Sequence, residues 1–92
     1  MPTTISITMD TTHEVDLGNS QGMSITASGG NAQVHVDYRL GSGIYSSAIK
    51  GSAGYGNPFT VNNSTTKVVN KTDLESEHVR VGARNATISV TY

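Results

Sequence analysis

The chain has 92 residues, of which 35% are apolar and 14% charged, with a formal net charge of −1 and no cysteine. That length makes one domain, 1–92, and the missing cysteines exclude disulfides, Cys-ligated zinc and iron–sulfur centres. A charge near zero with no basic block argues against electrostatic capture of nucleic acid or an anionic membrane.

Residues 1–9 open a period-two pattern, in which Ile5, Ile7 and Met9 alternate with Thr4, Ser6 and Thr8. Successive strand side chains point to opposite faces, so one set is dry and the other wet. This predicts a first strand over 3–9, turned by Asp10-Thr11-Thr12. A second strand covers 13–17, with Val15 and Leu17 on one face, and Gly18 to Gly22 form a loop of turn formers. The third strand covers 23–28, with Met23, Ile25 and Ala27 dry. Gly29-Gly30-Asn31 is expected to be a hairpin turn, because Gly and Asn accept the positive φ of tight hairpins.

The fourth and longest strand covers 32–40. Val34, Val36, Tyr38 and Leu40 share one face, and His35, Asp37 and Arg39 share the other. Gly41-Ser42-Gly43 turns the chain into a fifth strand over 44–49. The stretch Gly51 to Pro58 reads as a surface loop. A sixth strand covers 59–61, closed by Asn62-Asn63-Ser64, and a seventh covers 65–70. Residues 71–76 form a polar connection with room for one helical turn. The eighth strand covers 77–81, Gly82 to Asn85 turn it, and the ninth covers 86–92.

Eight or nine short strands at regular spacing predict an all-β fold, a small antiparallel β-sandwich of the immunoglobulin or jelly-roll kind. The Trp and paired Cys of true immunoglobulin domains are absent. Ser, Thr, Asn and Gly fill the shortfall in apolar residues, which suits a β domain with hydroxyl-rich outer faces rather than a disordered chain. A domain of this size buries only about 60–65% of its unfolded surface, so further subunits are the expected source of extra stability. The apolar terminal strand is expected to pair within a sheet, in the domain or with a neighbouring copy. No signal-peptide pattern opens the chain, and no apolar run approaches the roughly 20 residues that span a bilayer. The expectation is a chain made in a cytoplasm with no membrane partner. The Asn-x-Ser/Thr triplets at Asn62, Asn63, Asn70 and Asn85 follow from the composition.

Few residues suggest chemistry. His35 with Asp37, and His78 with Arg80, share strand faces at i and i+2, the beginning of a metal site. With no third ligand identifiable, they read as cross-strand pairs on a wet face. Glu14 and Asp16 also share a face, but nothing in the sequence buries them to raise a pKa. There is no Gly-x-Ser-x-Gly elbow, no calcium loop and no glycine-rich strand-to-helix turn. The chain is therefore read as a non-enzyme with no catalytic residue, metal or cofactor. The stretch from Tyr45 to Phe59 is the exception. Tyr45, Tyr55 and Phe59 are three of five aromatics, and with Asn57 they are the candidate contacts for a partner protein or a glycan. The competing reading is that Phe59 and one Tyr plug the core.

Two stretches carry a resemblance: Met23-Ser-Ile-Thr-Ala-Ser-Gly-Gly-Asn-Ala-Gln-Val-His-Val-Asp-Tyr-Arg-Leu40 and Glu77-His-Val-Arg-Val-Gly-Ala-Arg-Asn-Ala-Thr-Ile-Ser-Val-Thr-Tyr92. In style they are similar to small β-sandwich accessory proteins of tailed-phage virions, of the capsid decoration or cement type. The resemblance implies a structural virion protein that binds the outside of a phage capsid, with the major capsid protein or another virion protein as partner. It also implies a symmetric homo-oligomer located in the virion. A carbohydrate- or cell-surface-binding module through the Tyr45–Phe59 stretch is the alternative.

Overall fold

A computed structural model describes residues 2–92. The strands are β1 (Thr4–Ile7), β2 (Thr12–Asp16), β3 (Gly22–Ser28), β4 (Ala32–Gly41), β5 (Ile44–Ser47), β6 (Phe59–Val61), β7 (Thr66–Asn70), β8 (His78–Arg84) and β9 (Thr87–Thr91). Single 3-10 turns lie at Gly51–Ala53 and Lys71–Asp73. A four-stranded sheet is ordered β1-β9-β3-β7, and a five-stranded sheet is ordered β2-β8-β4-β5 with β6 also on β4. Every strand pair is antiparallel, and the two sheets pack face to face as a β-sandwich.

The period-two pattern explains what holds the sheets together. Ile7, Ile25, Val69, Ile88 and Val90 come from one sheet, and Val15, Val34, Val36, Val79 and Val81 from the other; all are almost fully buried. Among the described residues no polar or charged side chain is buried with them. The side chains are β-branched at every one of these positions, and such chains pack well on a pleated surface.

Most connections cross between the sheets. Gly29-Gly30-Asn31 is not the hairpin turn that its residues predict, because β3 and β4 lie in different sheets. Both edges of β3 are taken by β7 and β9, and β4 pairs with β8, β5 and β6. Only β4 and β5 form a hairpin between sequence neighbours.

Several boundaries differ from expectation for identifiable reasons. The eighth strand does not stop at Val81 but continues to Arg84. Gly82 lies opposite His35 in the sheet, and a Cβ at Gly82 would overlap the His35 imidazole. This glycine therefore marks a close approach inside a strand rather than a turn. Asn85, with φ of 73°, makes the turn instead. Met9 alternates in phase with Ile7 but is 48% exposed, because β1 has already ended. Leu40 continues the dry face of β4 yet is 60% exposed. Beyond Asp37, β4 is paired only with β5, and Leu40 lies near the tip of this two-stranded ribbon. The fifth strand ends at Ser47, and Ile49 instead bridges Leu74.

The outer edge of β4 is covered in three pieces. β6 pairs with Ala32 to Val34, and β5 pairs with Asp37 to Gly41. Asn57 fills the gap between them. The Val36 N–H donates to Asn57 Oδ1 at 3.0 Å, and Asn57 Nδ2 donates to the Val36 carbonyl at 2.8 Å and to Ser47 Oγ at 2.9 Å. One side-chain amide thus does for Val36 what a strand residue does for its neighbours.

Replacing Asn57 by Ala leaves the Val36 N–H unpaired at a partly buried edge. The expected cost is about 1–3 kcal/mol, read as a lower urea midpoint at unchanged m-value. Asn57→Asp is expected to cost at least as much, because a carboxylate cannot donate to the Val36 carbonyl.

Candidate functional site

The four candidate contacts do not form one platform. Phe59, on β6, is 7% exposed and belongs to the core. Tyr55 packs against it edge to face, with ring centroids 5.5 Å apart, and the Lys67 ammonium lies 3.9 Å from the Tyr55 ring centre. The Tyr55 hydroxyl is buried without a hydrogen-bond partner among the described residues. Burial, with the Asp73 carboxylate second, pushes its pKa up. Asn57 is committed to Val36 and Ser47. Tyr45 stands apart on β5, on the outer face of the five-stranded sheet, with the Arg80 guanidinium carbon 3.6 Å from its ring centre. The four residues are thus placed apart: Phe59 and Tyr55 pack at the core, Asn57 completes a sheet edge, and one face of the Tyr45 ring is covered by Arg80.

Charged side chains gather instead on the outer face of the five-stranded sheet. The register places Glu14 beside Arg80, and Arg80 beside Asp37. His78 Nε2 and Glu14 Oε2 lie 2.7 Å apart. Arg80 Nη2 is 3.5 Å from Asp37 Oδ2, and His35 Nε2 is 3.9 Å from the same oxygen. His35 and Asp37 thus share β4 as the sequence indicates, and His78 and Arg80 share β8. His78 meets Glu14 and Arg80 meets Asp37 across strands, whereas the acidic neighbour of His35 is Asp37 on its own strand; such pairs stabilise a wet sheet face. Among the described residues, no group of three or more His, Cys, Asp or Glu side chains is placed to hold a metal ion.

The two outer faces differ in kind. The four-stranded sheet turns Thr4 and Ser6, Ser24, Thr26 and Ser28, Thr66, and Thr87, Ser89 and Thr91 outward. One row across it reads Ser6, Ser89, Thr26, Thr66. Thr4 and Thr91 hydroxyls meet at 3.0 Å, and Thr26 and Thr66 hydroxyls at 2.8 Å. None of its outward strand positions carries Asp, Glu, Lys or Arg. The sequence holds this segregation in its alternation, but only the sheet order reveals that the hydroxyl-bearing strands are neighbours.

Sequence reasoning also missed the tip of the β4–β5 ribbon. Leu40 is 60% and Ile44 58% exposed, on either side of Gly41-Ser42-Gly43. Both obey the period-two pattern, so alternation alone assigns Leu40 to the core. No family model, curated protein or solved structure matches the chain.

The Glu14–His78 pair titrates with a definite sign. Its hydrogen bond holds the Glu14 carboxyl below its ordinary value of 4.5 and lifts His78 above 6.5. The raised His78 contributes stability that is complete below about 6.5 and is lost as pH rises through its folded value. The lowered Glu14 contributes stability that is complete above about 4.5 and is lost as pH falls through its folded value. The pair is therefore at full strength between about 4.5 and 6.5, and its effect is small because both groups are more than half exposed. An NMR titration is expected to place the His78 midpoint above 6.5, and Glu14→Gln is expected to bring it back toward that value.

Proposed function

We propose that this protein is a structural virion module that binds the outside of a phage capsid and reinforces or decorates it. The observation that carries the reading is the β4–β5 ribbon. It presents Leu40 and Ile44, both more than half exposed, on a hairpin whose tip is Gly41-Ser42-Gly43. Two large apolar side chains on a projecting hairpin, flanked by a polar surface, are the kind of anchor that fills a pocket on a partner protein. The resemblance of the two stretches in style to virion accessory proteins supports the major capsid protein or another virion protein as that partner. A sandwich this small gains stability from assembly, and a symmetric oligomer on a regular lattice is the arrangement that supplies it. The alternative of glycan recognition by Tyr45, Tyr55 and Asn57 loses support, because those side chains are spent on contacts within the protein.

Quantitative mass spectrometry of purified phage particles from the source lysate tests the reading. A copy number equal to the major capsid protein, or a simple fraction of it, is expected. Absence from the particles overturns it. The double substitution Leu40→Ser with Ile44→Ser is expected to weaken binding to capsids lacking the protein by at least about tenfold, since each lost apolar anchor costs about 1 kcal/mol or more. The thermal transition is expected to stay nearly unchanged, because both side chains are exposed.

A further inference from the structure

A trough with a volume near 430 Å³ lies across the end of the four-stranded sheet. That is within the range of about 300–1,000 Å³ common to small-ligand sites. Tyr92, Val68 and Pro2 supply apolar lining, and Gln21, Asn70, Ser20 and Ser24 supply polar lining. Tyr92 is half-buried and packs against the end of the core. The floor passes Gly22, whose own Cβ would overlap the Val69 carbonyl oxygen, so β3 and β7 approach closely there. The side-chain amides of Gln21 and Asn70 and the hydroxyls of Ser20 and Ser24 have no hydrogen-bond partner among the described residues, in contrast to Asn57.

Among the described residues, no charged side chain lines this trough. The nearest cation along the chain, Lys71, is directed away, since its ammonium donates to the Gly18 carbonyl and lies 3.3 Å from Glu77 Oε2. An anionic ligand therefore finds no counter-charge, and a purely apolar ligand would strand two amides and two hydroxyls. A sugar ring answers both conditions. Its C–H face is apolar and suits an aromatic ring, while its edge carries neighbouring hydroxyls that donate and accept as amides do. The trough also opens onto the uncharged hydroxyl face through Ser24 and Val68, which share a row with Thr91 and Thr4. A longer chain of sugar units can continue across that row past outward strand side chains that carry no charge.

We infer that the trough bounded by Tyr92, Gln21, Asn70 and Ser24 is a binding site for a neutral oligosaccharide. Tyr92 stacks on the sugar ring, and the Gln21 and Asn70 amides bind its hydroxyl edge. The site lies on the four-stranded sheet, away from the β4–β5 ribbon, so it stands whether or not the protein decorates a capsid.

The test is a titration of the isotope-labelled full chain, followed by backbone amide NMR, with maltotetraose, cellotetraose, mannotetraose and tetra-N-acetylchitotetraose. At least one of these is expected to give saturable shifts centred on Gly22, Ser24, Val68 and Asn70, with a dissociation constant on the order of 1 mM. Tyr92→Ala is expected to weaken that binding at least about tenfold, the loss of one stacking anchor. Asn70→Ala, at an exposed position, gives a second reading if Tyr92→Ala perturbs the fold, with an expected loss of about fivefold. Tyr45→Ala is expected to leave binding unchanged. No saturable shift with any of the four sugars overturns the assignment, and so do shifts centred on Tyr45 or Tyr55.

Discussion

The middle of β4 is the constraint on which the fold depends. This strand pairs with β8 along one edge, and its other edge must be covered by chain that arrives from two directions. β5 turns back on it from the hairpin, and β6 reaches it after an irregular stretch. Neither strand pairs with Val36, whose N–H would otherwise be unpaired at a partly buried edge. The Asn57 amide closes that gap, and Ala48 adds a second donor to the Val36 carbonyl at 2.9 Å. Because Val36 is itself fully buried, the same residue anchors the core on one side and the sheet edge on the other. Loss of the amide exposes a strand edge, which is where sheets recruit foreign strands.

The crossing pattern has its own energetic meaning. Nearly all strand pairs join segments far apart in sequence, such as Ile7 with Ile88 and Asp16 with His78. Loop-closure entropy must be met before those pairings return any contact energy, so neither sheet has a local nucleus apart from the β4–β5 hairpin. The apolar side chains of both sheets share one dry layer, and each sheet is the other's main cover. The two sheets are therefore expected to form and melt as a single cooperative unit.

Much of the fold was legible in the alternation, because period two reports directly on which side of a pleated strand faces a partner. Ile25, Val34, Val36, Ile88 and Val90 are buried where that pattern puts them. The pattern does not say where the opposing layer stops. Met9 and Leu40 keep the phase but lie past its rim. Gly82 and Gly29-Gly30 show the ambiguity of glycine: one gives room to the His35 imidazole inside a strand, and the others cross between sheets. The candidate site was less legible. Tyr45 and Tyr55 are near in sequence but lie on different parts of the sandwich, and the role of Asn57 depends on which backbone groups happen to lie beside it. The hydroxyl face and the trough join β1, β3, β7 and β9, and that neighbourhood is a property of strand order rather than of any one segment.

The division of charge between the two outer faces gives the molecule two sides that respond differently to ionic strength. At about 0.15 M salt the Debye length is about 8 Å, and exposed charges beyond it are largely screened. An association that uses Glu14, Asp37, Arg39 or Arg80 on the five-stranded side loosens as salt is added. One that uses the hydroxyls of the four-stranded side, or the apolar tip at Leu40 and Ile44, has no such charges to screen. A simple salt series on any complex of this protein therefore reports which side of the sandwich is engaged.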